Sequence, residues 1–378
     1  MIFYSRYEKN AEKVRRVMRE KGIDVCVLTF QQKISYVTGV YHNDWNAGNC
    51  VFLWADREPT LLVSVSEKGR LMYEGYVKDV RFWNSAFYGL EPSTFIGEAI
   101  KILHEHGMEN KVIGIEEPQI SYRVYSGLRK EFDKAEFVDV EDMISDIMML
   151  KDEEELEAMR HVCAISDAGM QAIMDNARVG ITEAELMGHA ELAMRRLGAG
   201  WWYTPNQMNF DNRVICDHIP QDRPLGVGDK ITFDLHPTYK EYRSDHFRTV
   251  AFGEPSKEYS KMAEFLTGVA YELNDKLVAG ASTSEIAVWF REKIRNGGYP
   301  DRAMKDIGHG IGTGHLPPTF TLDKEYILKP NTVISICPYI YEPGQYSMLM
   351  EYCVLVRESG SPELLHKHPL GLPVLPVK

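Results

Sequence analysis

Apolar and polar residues follow two different rhythms along this chain, and the switches between them mark its elements. Asn10 to Lys21 has the spacing of a charged amphipathic helix, and Gly22 ends it. Val25 to Phe30 and Cys50 to Ala55 are short apolar runs, which predict buried strands. Thr60 to Ser66, just after Pro59, predicts a second hairpin strand with a helix behind it. Ser93 to His106 returns to helical period, Val112 to Ile115 to strand, and Ile120 to Glu131 to helix. Strands alternating with helices predict an α/β domain over residues 1–150.

The texture changes near residue 150. Lys151-Asp152-Glu153-Glu154-Glu155-Leu156 opens a long helix whose acidic first turn suits the positive end of the helix dipole. A second helix starts at Thr182, with Glu183 and Glu185 early in it. Strands follow at Gln207 to Phe210, Lys230 to Asp234 and Arg248 to Phe252, then a helix pair at Ser256 to Val278 and Ser282 to Asn296. From Gly308 the chain reads as strand and loop. The pattern predicts an α+β domain over 151–378, with no short repeat and no low-complexity tract. The tail with Pro362, Pro369, Pro373 and Pro376 predicts an extended surface segment.

Composition narrows the function classes. An apolar share of 44% and a charged share of 26% exclude a disordered or collagen-like chain. No apolar run nears the roughly 18 residues of a membrane helix. The start, Met1-Ile2-Phe3-Tyr4-Ser5-Arg6, lacks the basic and apolar regions of a signal peptide. A net charge of −12 argues against a nucleic-acid partner and suits solubility. Cys26, Cys50, Cys163, Cys216, Cys337 and Cys353 form no CxxC pair, which argues against a zinc ribbon or a disulfide-stapled domain. A reduced cytoplasmic location is expected, with most cysteines acting as small buried apolar residues.

Candidate chemistry gathers in the second half. Asp234 and Asp245 stand 11 residues apart beside β-like stretches, and Pro237-Thr238-Tyr239-Lys240-Glu241 suits a turn. A hairpin would bring both carboxylates to one pocket; solvated caps are the alternative. Gly308-His309-Gly310-Ile311-Gly312-Thr313-Gly314-His315 carries four glycines in seven residues from Gly308 to Gly314. It lacks the Lys-Ser/Thr of a phosphate loop, so it reads as a plain turn or as a glycine-rich loop presenting histidines. Glu351 interrupts the strand-like run Leu349 to Val356. A charge there costs several kcal/mol unless it is paired, metal-bound or facing water at an edge. Carboxylates with an imidazole suit Mn²⁺, Fe²⁺, Co²⁺ or Zn²⁺.

In this order the motifs resemble the pita-bread metallopeptidases, a family of Xaa-Pro aminopeptidases, prolidases, methionine aminopeptidases and the non-peptidase creatinase. The resemblance covers nearly the whole chain. It rests on Ile34-Ser35-Tyr36-Val37-Thr38-Gly39, on Met149-Leu150-Lys151-Asp152-Glu153, on Gly228-Asp229 with Asp234, Ser244-Asp245 and Arg248-Thr249, and on Gly308 to Gly312. The 14-residue spacing from Cys337 to Glu351 fits as well. The fold implied is a pita-bread α+β catalytic domain behind a creatinase-type α/β N-terminal domain. The ligands implied are Asp234 on one metal, Asp245 and Glu351 bridging, and His309 on the other metal, with one or two divalent ions (Mn, Co, Zn or Fe) per chain. His315 matches the histidine that contacts substrate and steadies the tetrahedral intermediate.

Three positions depart from the family pattern. Cys337, in Ser335-Ile336-Cys337-Pro338, stands where the peptidases carry a glutamate that completes the histidine-containing site. It reads either as a thiolate ligand or as a packed apolar residue. In Cys216-Asp217-His218-Ile219-Pro220 the family histidine aligns with Asp217, and His218 replaces it only if the chain bulges. Leu316 stands where a glutamate usually follows His315.

The resemblance implies a metal-dependent hydrolase in which metal-bound hydroxide attacks a small peptide or amide, with His315 and His218 stabilising the oxyanion. A non-peptidase C–N hydrolase or lyase on a small zwitterion is the alternative; creatinase-like and ectoine-hydrolase-like enzymes are examples. Trp201-Trp202-Tyr203 would then line a cation pocket rather than pack a core. A homologue without catalysis is the third reading. The expected partners are a small peptide or small-molecule substrate and a second copy of the chain. In that homodimer a loop holding His42, Asn43, Asp44 and Trp45 would border the partner's site. No membrane partner is expected.

Overall fold

The apolar run at Val25 becomes a strand buried along its whole length, and a six-stranded sheet is built around it. The computed structural model describes residues 4–40, 49–71, 76–84, 92–200, 204–210, 218–300 and 306–378. The chain divides into two units, Met1–Ile147 and Met148–Lys378. Among the described residues no helix is long and apolar enough to cross a membrane.

In the first unit the strands are β1 (Val25–Leu28), β2 (Cys50–Trp54), β3 (Thr60–Ser64), β4 (Asp79–Trp83), β5 (Val112–Ile115) and β6 (Glu136–Asp139). They stand in the order β4-β3-β2-β1-β5-β6, antiparallel across β1-β2-β3 and parallel elsewhere. The helices are α1 (Tyr4–Lys21), α2 (Gln31–Thr38), α3 (Lys68–Leu71), α4 (Pro92–Glu105), α5 (Tyr122–Glu131) and α6 (Glu141–Met149). The periodicity predicts α1, α4 and α5; the apolar stripes of α4 and α5 face a core containing Val27, Phe52, Trp83, Phe95 and Leu103, and α1 buries Ala11, Val14 and Met18. It misses α2, which is buried from Gln32 to Thr38 and so has no polar face to set a period. Gly39 ends α2 at φ 70°, and a Cβ there would lie 2.3 Å from the Tyr7 ring.

Lys33, which also pairs with Glu141, forms a buried ion pair with Glu116. Lys33 Nζ lies 3.5 Å from Glu116 Oε1, with neither side chain more than 3% exposed. Glu116 Oε2 accepts the N–H groups of Thr29 and Phe30. Burial pushes the Glu116 carboxyl up, and Lys33 opposes that. Lys33→Met is expected to destabilise this unit by about 3–5 kcal/mol in urea unfolding, because it leaves a buried charge without a partner. A loss below about 1 kcal/mol would show that Glu116 is protonated and needs no cation.

The second unit repeats one plan twice. The helix pair α7 (Glu153–Asn176) and α8 (Glu183–Arg196) packs on strands β7 (Gln207–Asn209), β8 (Lys230–Leu235) and, beyond the hairpin β9 (Thr238–Tyr239) and β10 (Tyr242–Arg243), β11 (His246–Phe252). A second pair, α9 (Lys257–Asn274) and α10 (Thr283–Asn296), packs on strands from β12 (Gly308–Ile311), β13 (His315–Thr319), β14 (Val333–Ile336), β15 (Tyr339–Glu342), β16 (Tyr346–Leu349) and β17 (Tyr352–Leu355). Short strands β18 (Glu363–Leu364) and β19 (Val374–Leu375) complete sheets ordered β19-β11-β8-β7 and β13-β12-β14-β17-β18. The correspondence extends to the helix starts, where Thr182 and Ser282 cap α8 and α10 two residues after Gly180 and Gly280.

Caps fix the helix starts. Asp152 accepts the Glu155 N–H, and Glu155 accepts the Asp152 N–H in return. Thr182, Ser256 and Ser282 cap α8, α9 and α10. The proline-rich tail is extended but not wholly superficial, because β19 pairs in parallel with Ala251 and Phe252.

Candidate metal centre

Two backbone devices position the acidic residues. Lys240 and Glu241 take φ of 48° and 70°, the conformation of a two-residue hairpin turn between β9 and β10. That turn returns the chain so that Asp245, just before β11, faces the end of β8 that carries Asp234. Then the Glu351 N–H, between β16 and β17, donates to Phe247 O at 2.8 Å. This stitch joins the two sheets and brings the third carboxylate alongside.

The cluster is crowded with charge. Asp234, Asp245 and Glu351 are 7%, 3% and 8% exposed. Burial raises the Asp234 carboxyl above its ordinary range although His236 opposes it, and Asp234 Oδ1 has no hydrogen-bond partner. Burial, then the charges of Asp245 and Asp234, push Glu351 well up. Its Oε1 accepts a 2.9 Å bond from Ser335 Oγ. Burial also opposes ionisation of Asp245, but His236, with His315 and Arg243, outweighs it and holds that carboxyl well below the usual range.

His236 is the centre's unread residue. Its Nε2 lies 3.0 Å from Asp234 Oδ2 and 3.2 Å from Asp245 Oδ1, while Nδ1 faces Pro205 O at 3.2 Å. Both ring nitrogens thus meet acceptors, which only the imidazolium satisfies. Burial works against that charge, but the two carboxylates raise the pKa to about 10. The sequence held the signal: His236 stands two residues after Asp234, on the same side of an extended chain. Arg243, two residues before Asp245, was unread in the same way; its Nη2 lies 3.3 Å from Asp245 Oδ2 and 3.0 Å from His315 Nε2.

His309 has the opposite character. Burial, then His315, lower its pKa to about 4, so the ring is neutral. Nδ1 faces Gly310 O at 3.0 Å, which leaves the Nε2 lone pair toward Asp245 Oδ2 at 3.6 Å and Glu351 Oε1 at 3.8 Å. The segment read as a glycine-rich loop is strand β12, and a Cβ at Gly310 would lie 2.0 Å from Pro317 O. His315, with a side chain 60% exposed, stands at the solvent side and stacks on His309 at 4.0 Å.

Cys337 is buried just after β14, its N–H on Ile307 O. Burial and the three carboxylates push its thiol well up, so it adds no negative charge. His218 is engaged elsewhere: its Nε2 lies 3.2 Å from Glu183 Oε2, and Glu183 also accepts the N–H groups of Phe210 and Gln221. Asp217, Trp201-Trp202-Tyr203 and residues 42–45 lie outside the described residues.

The donor set fits a divalent cation. Three buried carboxylates, once all ionised, would hold more negative charge than His236 and Arg243 neutralise, and Asp234 Oδ1 has no hydrogen-bond partner. Donor atoms of Asp245, His309 and His315 lie within 4.8 Å of one another, and Glu351 Oε1 lies 3.8 Å from His309 Nε2; these are the oxygen and nitrogen donors that Mn²⁺, Fe²⁺, Co²⁺ or Zn²⁺ accept. Between Asp234 and Asp245 an imidazolium already stands.

Comparison with known proteins settles the family. Residues 157–358 match metallopeptidase family M24, and residues 11–149 match the creatinase/prolidase N-terminal domain. The chain belongs to metallopeptidase family M24. It is 27% identical over 270 residues to the Xaa-Pro dipeptidase of Pyrococcus furiosus, covering 69% of this chain and 76% of that protein. It is 26% identical over 381 residues to the Xaa-Pro dipeptidase of Lactobacillus delbrueckii subsp. lactis, covering 98% of this chain and 100% of that protein. The fold is that of the X-Pro aminopeptidase from Thermotoga maritima MSB8, with a TM-score of 0.85 and 23% identity over 97% of this chain and 99% of that one. Membership in M24 makes the chain a hydrolase of the peptidase class, and the pita-bread fold with its creatinase-type N-terminal domain is as the motifs imply.

His236→Ala is expected to increase the Mn²⁺ or Zn²⁺ bound at saturation, measured by equilibrium dialysis and elemental analysis, because Asp234 then faces Asp245 without a cation. Unchanged stoichiometry would show that the imidazolium was not holding a cation's place. Metal affinity is also expected to climb with pH. His309 is already neutral above about pH 5, whereas Glu351, with its raised pKa, must release a proton to bind. Affinity that is flat with pH would mean Glu351 is not a ligand.

Proposed function

We propose that this M24 member is a divalent-metal-dependent peptidase acting on small peptides, with Xaa-Pro dipeptides as the first substrate class. The observation that carries the reading is the convergence of Asp245, His309 and Glu351 beside the exposed ring of His315. An ion held by those three residues would polarise a carbonyl and acidify water. The chain's own groups prepare the site for it. Ser335 orients Glu351, and the Gly310 carbonyl sets the tautomer of His309. Arg243 steadies both Asp245 and His315. His315 stands where a ring N–H meets the developing oxyanion of a substrate entering from solvent. His236 and the protonated Cys337 both reduce the cluster's negative charge, which favours one ion over two.

The same two residues support a second reading, a C–N hydrolase on a small zwitterion. They alter the donor set while the scaffold is kept, and a fold does not fix a substrate.

Protein purified without chelator and assayed with Mn²⁺, Co²⁺ or Zn²⁺ on Xaa-Pro dipeptides and on small zwitterionic amides separates the two. Dipeptide turnover that chelator abolishes is expected. Asp245→Ala should lose metal binding and lower kcat/KM by about a thousandfold or more, since the ion supplies several kcal/mol. Turnover of the zwitterions alone would transfer the assignment to the second reading. Dipeptide turnover that survives both chelator and Asp245→Ala would overturn the metal mechanism.

A further inference from the structure

A second group of donor side chains lies apart from Asp234, His309 and Glu351, and no step proposed above uses it. Cys163 and Asp167 come from α7, His246 from β11, Cys353 from β17 and His366 from the segment after β18. All are buried, Cys163, His246 and Cys353 completely. The two sulfurs and a ring nitrogen of His366 lie within 4.8 Å of one another, as do donor atoms of Asp167, His246 and His366. The rings of His246 and His366 are 4.0 Å apart and tilted by 31°. His366 Nδ1 is 3.2 Å from Asp167 Oδ1, and Asp167 Oδ2 accepts the Lys367 N–H at 2.8 Å. The His366 ring also meets the Cys353 sulfur, and both nitrogens of His246 are buried without a hydrogen-bond partner. Buried polar atoms rarely go unpaired, so a ring with two orphaned nitrogens beside two sulfurs and a carboxylate asks for an occupant.

We propose that Cys163, Cys353 and His366 bind a soft divalent ion, Zn²⁺ above others, with the His246 ring packed against that of His366. Thiolate and imidazole together select zinc over the hard ions that carboxylates prefer. Asp167 on Nδ1 of His366 is the carboxylate–imidazole arrangement that fixes the tautomer and turns the Nε2 lone pair to a metal. A tetrahedral shell with bonds of about 2.0–2.3 Å places its donors roughly 3.5–4 Å apart, so the cluster needs only a small contraction. Any thiol proton still held by the cysteine pair leaves on binding, and no electron transfer is involved. The ion ties α7 and the C-terminal segment to the strands that frame the acidic centre. Cys353 Sγ already lies 3.7 Å from the carbonyl oxygen of Asp245. Its role is to hold the backbone of that centre, separately from any ion on Asp245, His309 and Glu351.

Protein produced in zinc-depleted medium supplemented with Co²⁺ tests this, because thiolate-to-cobalt charge transfer absorbs in the near ultraviolet and oxygen or nitrogen ligands give no such band. The band is expected in the wild type, unchanged in Cys337→Ser and in Asp245→Ala, and lost in Cys353→Ser. Asp167→Asn, the milder change, should weaken zinc binding by roughly 10–100-fold. Absence of the band from the wild type, its loss in Cys337→Ser, or its survival in Cys353→Ser would overturn the proposal. If Cys353→Ser does not fold, the wild type, Cys337→Ser and Asp167→Asn decide the matter among themselves. Failure of the peptidase reading would leave this band unaffected, so the two claims fall separately.

Discussion

Mutual repulsion among three buried carboxylates governs the second unit. Asp234, Asp245 and Glu351 each make ionisation of the others costlier, and burial withholds the water that would otherwise screen them. Only Asp245 is held firmly ionised, because it alone collects His236, Arg243 and His315. The cluster is therefore asymmetric: one strong anion, one acid driven toward neutrality by burial and then by its neighbours, and one carboxylate with an oxygen left over. Such a set is poised for a cation without being specific to one.

Keeping those groups together is a matter of backbone. Asp234 and Asp245 are joined through a hairpin whose turn demands two positive φ angles, and Glu351 is tied to Phe247 across the seam of two sheets. His309 sits in a strand brought close to its neighbour because Gly310 has no side chain. Helix pairs capped by Asp152, Thr182, Ser256 and Ser282 cover the outer faces. Groups carried by such paired elements keep their spacing better than groups on free loops.

Two residues lower the negative charge of the centre. Burial and the nearby carboxylates push the Cys337 thiol well up, and the carboxylates of Asp234 and Asp245 favour a charged ring at His236. The softer cysteine and histidine donors gather elsewhere, around Cys163, Cys353 and His366, so hard and soft ligands are sorted into separate places on one scaffold.

Much of the scaffold was legible because it is periodic. Val112–Ile115 has the predicted bounds, the helices α4 and α10 fall within a residue or two of theirs, and α7 starts within two residues of the predicted place. Elements without a period were not legible: α2 is buried from Gln32 to Thr38, and β4 and β6 are largely half-buried with no apolar run to mark them. The motifs around Asp234, Asp245, His309 and Glu351 carried the family, since type and spacing survive in the linear chain. His236, Arg243 and the pairing of His218 with Glu183 were settled only by folding. A side chain's charge partners depend on which strands lie side by side, and that neighbourhood is made by long-range pairing. The same holds for Cys163, Cys353 and His366, scattered along the chain and meeting only where a helix, a strand and the tail converge.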